Sequence, residues 1–213
     1  MPTAAIKICG ISTPVALEAA IRARADYAGF VFFPKSPRNV TPAQAAELAV
    51  RAKGRIARVG LFVDADDAAL AEAVEAADLD VLQLHGKETP ERAAQLRARF
   101  GLQVWKALPV ASADDVERAR VYAGAVDLLL FDAKTPADAL PGGMGLSFDW
   151  SLVAGWKGAT AWGLAGGLTP DNVAEALAMT QAPLVDTSSG VESAPGVKDE
   201  DKIAAFCAAV RRT

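Results

Sequence analysis

Short apolar runs alternate with longer amphipathic, alanine-rich stretches along the whole chain. The apolar runs are 5–9, 27–33, 56–63, 81–84, 103–107, 128–131, 160–164 and 184–185. They lack the period-two polarity of half-exposed strands, as expected for parallel strands covered on both faces. Helix-like stretches lie between them, among them 41–53, 66–76, 90–100, 113–122 and 170–179. Thr41-Pro42, Thr89-Pro90 and Thr169-Pro170 each place a capping hydroxyl before a proline at the first helical position. Gly54 and Gly101 follow helix ends, as C-terminal caps do.

Strand starts recur roughly every 25 residues, giving about eight βα units and an α/β fold with a parallel sheet. Eight units in 213 residues fit a closed (βα)8 TIM barrel better than an open doubly wound sheet, with lean loops. No Gly-x-Gly-x-x-Gly follows the first run, which counts against a dinucleotide-binding sheet. With no linker or composition break, the expected organisation is one barrel domain over 1–213.

Composition narrows the class. The chain is 52% hydrophobic, enough for a sizeable core, and its formal net charge is −4 with both signs scattered. That distribution offers no polyanion-binding face, so nucleic acid is not an expected partner. The start shows no secretory pattern and no apolar run has the length to cross a bilayer, so a cytoplasmic protein without membrane contact is expected. Cys9 and Cys207, the only cysteines, sit at opposite ends of the chain and give no disulfide framework. Oligomeric state stays open between monomer and homodimer.

A barrel of this kind works at the carboxyl ends of its strands. Polar residues there are Lys7 and Cys9, Arg38, Asp64, His85, Lys106, Asp132, and Asp186 with Ser188 and Ser189. Two glycine-bearing turns, Ala165-Gly166-Gly167 and Ser188-Ser189-Gly190, close the seventh and eighth strands. Phosphate is commonly bound at those two loops, where glycine lets the backbone approach the oxygens closely. A phosphorylated ligand is the expectation.

Several segments then match one family in order and spacing. They are Lys7-Ile8-Cys9-Gly10, Ser36-Pro37-Arg38, Gln83-Leu84-His85-Gly86, Phe131-Asp132 and Gly142-Gly143-Met144-Gly145 through Phe148-Asp149-Trp150. Leu164-Ala165-Gly166-Gly167-Leu168, Asp186-Thr187-Ser188-Ser189-Gly190-Val191-Glu192, Pro195-Gly196 and Lys198-Asp199 complete the set. Over essentially its whole length the chain resembles phosphoribosylanthranilate isomerase, the tryptophan-pathway family. Met144 departs from the Thr or Ser usual in that loop.

The resemblance implies an Amadori rearrangement of a small phosphoribosyl substrate, without metal or redox cofactor. It implies Asp132 as general acid, which must stay protonated near neutral pH, and Cys9 as general base, whose thiol must ionise. Lys7 alternates with Cys9 on one side of the strand and is a candidate for drawing its pKa down. The resemblance further gives Arg38 to the anthranilate carboxylate and Gly166, Gly167, Ser188, Ser189 and Gly190 to phosphate. Asp186 either meets a sugar hydroxyl or orders its turn. His85 is read as a hydrogen-bonded structural residue at the barrel mouth, and Asp64 and Lys106 are left without a role. The four tryptophans read as packing, Cys207 as core, and the segment 133–146 as a lid.

Three rivals remain. The histidine-pathway sugar isomerase runs the same rearrangement but carries aspartate at the position of Cys9 and visible half-barrel duplication, which this chain does not display. A cysteine hydrolase using Cys9, His85 and Asp132 would leave the phosphate turns without purpose. A non-catalytic phosphosugar-binding barrel is the third.

Overall fold

The structure, a computed structural model, describes residues 3–135 and 145–213. Eight strands close into a parallel barrel in chain order: β1 Ala5–Cys9, β2 Tyr27–Phe32, β3 Ala57–Phe62, β4 Val81–Leu84, β5 Gln103–Val110, β6 Leu128–Ala133, β7 Ala161–Leu164 and β8 Leu184–Thr187. Closure comes from β1 pairing with β8, in a register that sets Lys7 beside Asp186. On its other edge β1 pairs with β2, which puts Cys9 beside Gly29.

Outside lie α1 Pro14–Arg22, α2 Pro42–Ala52, α3 Asp67–Ala77, α4 Pro90–Phe100, α5 Ala113–Arg118, α6 Val173–Thr180 and α7 Glu200–Arg211. The expected caps form at Thr41 and Thr89, whose hydroxyls accept from Gln44 and Arg92 N–H at 3.2 and 3.3 Å. Gly101 ends α4 in the left-handed region, φ 65°. The cap expected at Thr169 does not form. Thr169 N–H instead donates to Asn172 Oδ1 at 2.8 Å, Asn172 Nδ2 ties back to the Gly167 carbonyl, and α6 starts only at Val173. The 113–122 helix also shortens, passing into a 3-10 turn after Arg118.

Among the described residues strict βα alternation is interrupted twice. Between β6 and β7 the described residues hold only a 3-10 turn, Trp150–Leu152. After β8 the chain makes a 3-10 turn, Ser189–Val191, and a small hairpin of β9 Glu192–Ala194 and β10 Val197–Lys198 before α7. Residues 136–144, including Met144 and most of the supposed lid, lie outside the described residues.

Side-chain alternation along each strand sorts the core. Val59, Val81, Trp105, Ala107, Leu130 and Leu184 pack inside the barrel, and Cys9, Val31 and Leu61 form a smaller cluster. The intervening positions, such as Ile6, Ile8, Phe30 and Phe131, pack outward against the helices. Three aspartates lock the opposite, amino-terminal rim. Asp26, Asp80 and Asp127 each precede an even-numbered strand and accept, at 2.8 Å, from the N–H of Ile6, Arg58 and Val104 on the odd-numbered strand before it. This device recurs in the first three odd–even strand pairs, a structural repeat without obvious sequence duplication. Among the described residues no helix is long and apolar enough to cross a membrane.

Candidate active site

Strand alternation also decides which polar residues face inward. Asp132 lies two residues beyond the interior Leu130, Asp186 two beyond Leu184, and Cys9 two beyond Lys7. With Gln83 and His85 at the end of β4, they surround a cavity at the carboxyl mouth of the barrel. Arg38, Gly166, Gly167, Ser188, Ser189 and Gly190 line the same cavity. Every proposed site residue except Lys7 therefore borders one space, and Lys7 lies wholly buried alongside it.

On one wall, Lys7 Nζ donates to both oxygens of Asp186 at 3.0 and 2.9 Å, an ion pair shut away from water. A Cβ on Gly29 would come within 3.0 Å of Cys9 Sγ and 3.1 Å of Lys7 Nζ, so the bare strand position makes room for both groups. Burial works against the Lys7 ammonium, but Asp186 and the Cys9 sulfur more than offset it and hold its pKa above the ordinary value. On Cys9 the pull of Lys7 is present but does not prevail. Burial pushes the thiol up, Lys7 pulls it down, Asp186 pushes it up again, and the net shift is upward. The thiol is the resting form because the group is buried and Lys7 is already matched by a carboxylate.

Across the barrel, Asp132 Oδ1 accepts from the Ala133 N–H at 2.8 Å, while Oδ2 lies 3.2 Å from His85 Nε2. The other ring nitrogen, Nδ1, lies 3.3 Å from Gln83 Nε2, and Gln83 Oε1 is buried without a partner among the described residues. Turning that amide over would let Oε1 accept from Nδ1–H. His85 is thus hydrogen-bonded at the mouth, as the sequence suggested, through Gln83, and its Nε2 faces the Asp132 carboxyl.

The glycines after β7 and β8 answer steric demands. Gly166 has φ 86°, and a Cβ there would sit 2.5 Å from the Ala133 nitrogen. On Gly190 a Cβ would meet the Leu168 carbonyl oxygen at 1.9 Å. Thr187, which the sequence reading passed over, ties the two turns together by donating to that same carbonyl at 2.7 Å. Ser188 is committed internally. Its hydroxyl donates to the Cys9 carbonyl at 3.1 Å, and Lys198 Nζ lies 3.3 Å from its Oγ. It makes no helix-capping bond. Asp186, read as a sugar or turn residue, has Lys7 as its partner in this structure.

Lys106 and Asp64 belong elsewhere. Lys106 alternates with Trp105 and Ala107 and so faces away from the barrel interior. It bonds the Leu84 and Gly86 carbonyls and Glu88 Oε2, and Glu88 in turn takes the Asp64 and Gly86 N–H groups. This network fixes the turn that carries His85. The tryptophans do pack: Trp105 meets Tyr27 edge-on, and Trp156 and Trp162 flank Phe131.

Residues 6–209 match the family model of N-(5′-phosphoribosyl)anthranilate (PRA) isomerase. The chain belongs to the phosphoribosylanthranilate isomerase family. N-(5′-phosphoribosyl)anthranilate isomerase of Paramagnetospirillum magneticum is 56% identical over 207 residues, covering 97% of this chain and 96% of the relative. That of Paracoccus denitrificans is 57% identical over 204 residues, covering 95% of each. The Thermotoga maritima phosphoribosylanthranilate isomerase structure superposes with a TM-score of 0.89 at 34% identity, covering 99% of this chain and all of that one. A phosphoribosylanthranilate isomerase in complex with reduced 1-(o-carboxyphenylamino)-1-deoxyribulose 5-phosphate superposes at 0.85 and 32% identity, covering 99% of this chain and 100% of that one.

Two residues of this phosphoribosylanthranilate isomerase site had no role in the sequence reading. Glu192 takes Arg38 Nε and Nη2 at 2.7 and 2.8 Å, and Lys198 Nζ reaches Glu192 Oε1 at 2.6 Å. Both stood in the matched segments, but nothing in the linear order says that a hairpin beyond β8 returns to a loop beyond β2.

Proposed function

We propose that this family member isomerises N-(5′-phosphoribosyl)anthranilate to 1-(2-carboxyphenylamino)-1-deoxyribulose 5-phosphate with Asp132 as acid and Cys9 as base, in tryptophan biosynthesis. The observation that carries the reading is that both border one cavity from β1 and β6, strands not adjacent in the barrel. A sugar held between them meets an acid on one side and a base on the other. Protonated Asp132 gives its proton to the ring oxygen as the C1′–O bond breaks, and the anthranilate nitrogen lone pair forms the iminium. Cys9, once ionised, takes the C2′ proton, and those electrons form the C1′=C2′ bond and neutralise the nitrogen. The enolamine then tautomerises to the ketone. The substrate nitrogen is the electron sink, so the protein's own groups need only give and take protons.

The raised thiol pKa is compatible with this role. An iminium beside Cys9 is a positive charge next to a buried thiol, and it favours the thiolate when the base is needed. The Gly166-Gly167 and Ser188–Gly190 turns suit the phosphate and Arg38 suits the carboxylate. Asp186 is read as the counter-charge of Lys7. No step calls for a metal or redox cofactor, and the partner is a small phosphoribosyl molecule. The reading takes 1–213 as one catalytic barrel domain, cytoplasmic, and a monomer or homodimer.

The test is growth of a tryptophan-requiring strain lacking this isomerase. The wild-type chain should restore growth and Cys9→Ala should not, and purified enzyme should turn over the anthranilate substrate. Turnover of the histidine-pathway imidazole substrate alone would overturn the reading.

A further inference from the structure

Arg38 stands in a cradle built from two parts of the chain distant from it in sequence. Glu192 of β9 receives its guanidinium at 2.7 and 2.8 Å, and that carboxylate is itself held by Lys198 Nζ at 2.6 Å and the Gly196 N–H at 3.2 Å. Gly10, at φ 78°, gives way to the arginine stem: a Cβ there would sit 2.5 Å from Arg38 Cδ. Gly196, at φ 81°, lets the hairpin press on the preceding residue, since its Cβ would lie 2.6 Å from the Pro37 carbonyl oxygen. Lys198 also bonds the Ser188 carbonyl at 2.9 Å and so joins this cradle to the turn after β8.

From this geometry we infer that Glu192 and Lys198 are positioning residues that set the enzyme's preference for a carboxylated aromatic amine, by fixing Arg38 at a set distance from the phosphate-type turn. The inference rests on Arg38 meeting the substrate carboxylate. Rigidity supports it, because a guanidinium already held by the Glu192 carboxylate loses little freedom when it meets a substrate anion. A substrate with anions at both ends is then measured against a fixed span.

The experiment compares dissociation constants of two ligands: reduced 1-(2-carboxyphenylamino)-1-deoxyribulose 5-phosphate and its phenylamino counterpart without the carboxylate. Glu192→Gln should cut the preference for the carboxylated ligand by roughly tenfold while the counterpart's constant stays within about threefold. Lys198→Met should cut it in the same direction and carries the comparison if Glu192→Gln does not fold. Retained preference in both variants, or equal weakening of both ligands, overturns the inference. Arg38→Lys is the control. Preference retained there means that the carboxylate reading of Arg38 itself is wrong, whereas preference lost only there isolates the failure to Glu192 and Lys198.

Discussion

Lys7 and Asp186 form a closed ion pair on neighbouring strands, Nζ lying 3.0 and 2.9 Å from the two carboxylate oxygens, beside the thiol of Cys9. The pair spans the seam where β1 meets β8 and so belongs to barrel closure as well as to the site. Lys7→Met leaves Asp186 buried without its counter-charge. A loss of about 3–5 kcal/mol in urea unfolding is expected. Replacing both together, Lys7→Met with Asp186→Leu, should recover much of that stability while activity stays low.

Cys9 predicts the shape of the pH profile. Its folded pKa lies above the ordinary thiol value of 9.0, so the thiolate is the minor form at neutral pH. Its fraction grows about tenfold per pH unit below that pKa. The Cys9 contribution to kcat/KM should therefore rise with pH through the neutral range and still be rising at pH 8. Cys9→Asp puts a carboxylate in the same place, and its ascending limb should move well below pH 7. Steady-state kinetics across pH 5–9 for both proteins checks this.

Glu192 makes a separate prediction about acid stability. Burial raises its pKa, but the Arg38 and Lys198 partners outweigh that and hold it below the ordinary 4.5. A depressed carboxylate contributes stability above its unfolded pKa and loses it as pH falls through the folded one. The stability difference between wild type and Glu192→Gln should be constant near neutrality and shrink below about pH 4.5. Thermal unfolding between pH 3 and 7 measures it.

His85 should matter through Asp132. Removing the imidazole leaves the acid in place but takes away the group 3.2 Å from Oδ2. His85→Ala should lower kcat by about tenfold or more, less than the ~10²–10⁴ expected of Asp132→Asn, with ligand affinity nearly unchanged. A loss as complete as that of Cys9→Ala would favour a nucleophilic cysteine and its imidazole partner instead.

What could be read from the chain alone follows from what is local. The eight strands, the caps at Thr41 and Thr89 and the inward pairing of Lys7 with Cys9 depend on periodicity and nearest neighbours, and all were legible. Thr169 misled because its own N–H goes to Asn172 Oδ1 and the helix starts only at Val173. The sequence left the Cys9 pKa open, because neither the burial of the thiol nor the aspartate that matches Lys7 from 179 residues away shows in the linear order. Gly29 did leave a trace, a glycine inside a strand, which signals close approach. The Arg38–Glu192 contact left none, since it joins loops beyond different strands.

The central claim is that Cys9 accepts the C2′ proton and does not merely pack beside Val31 and Leu61. The most direct measurement pairs kcat for Cys9→Ala with its affinity for reduced 1-(2-carboxyphenylamino)-1-deoxyribulose 5-phosphate. The account predicts kcat lower by at least ~10² with a dissociation constant within about threefold of wild type. A kcat within tenfold of wild type, or a loss confined to affinity, would contradict it.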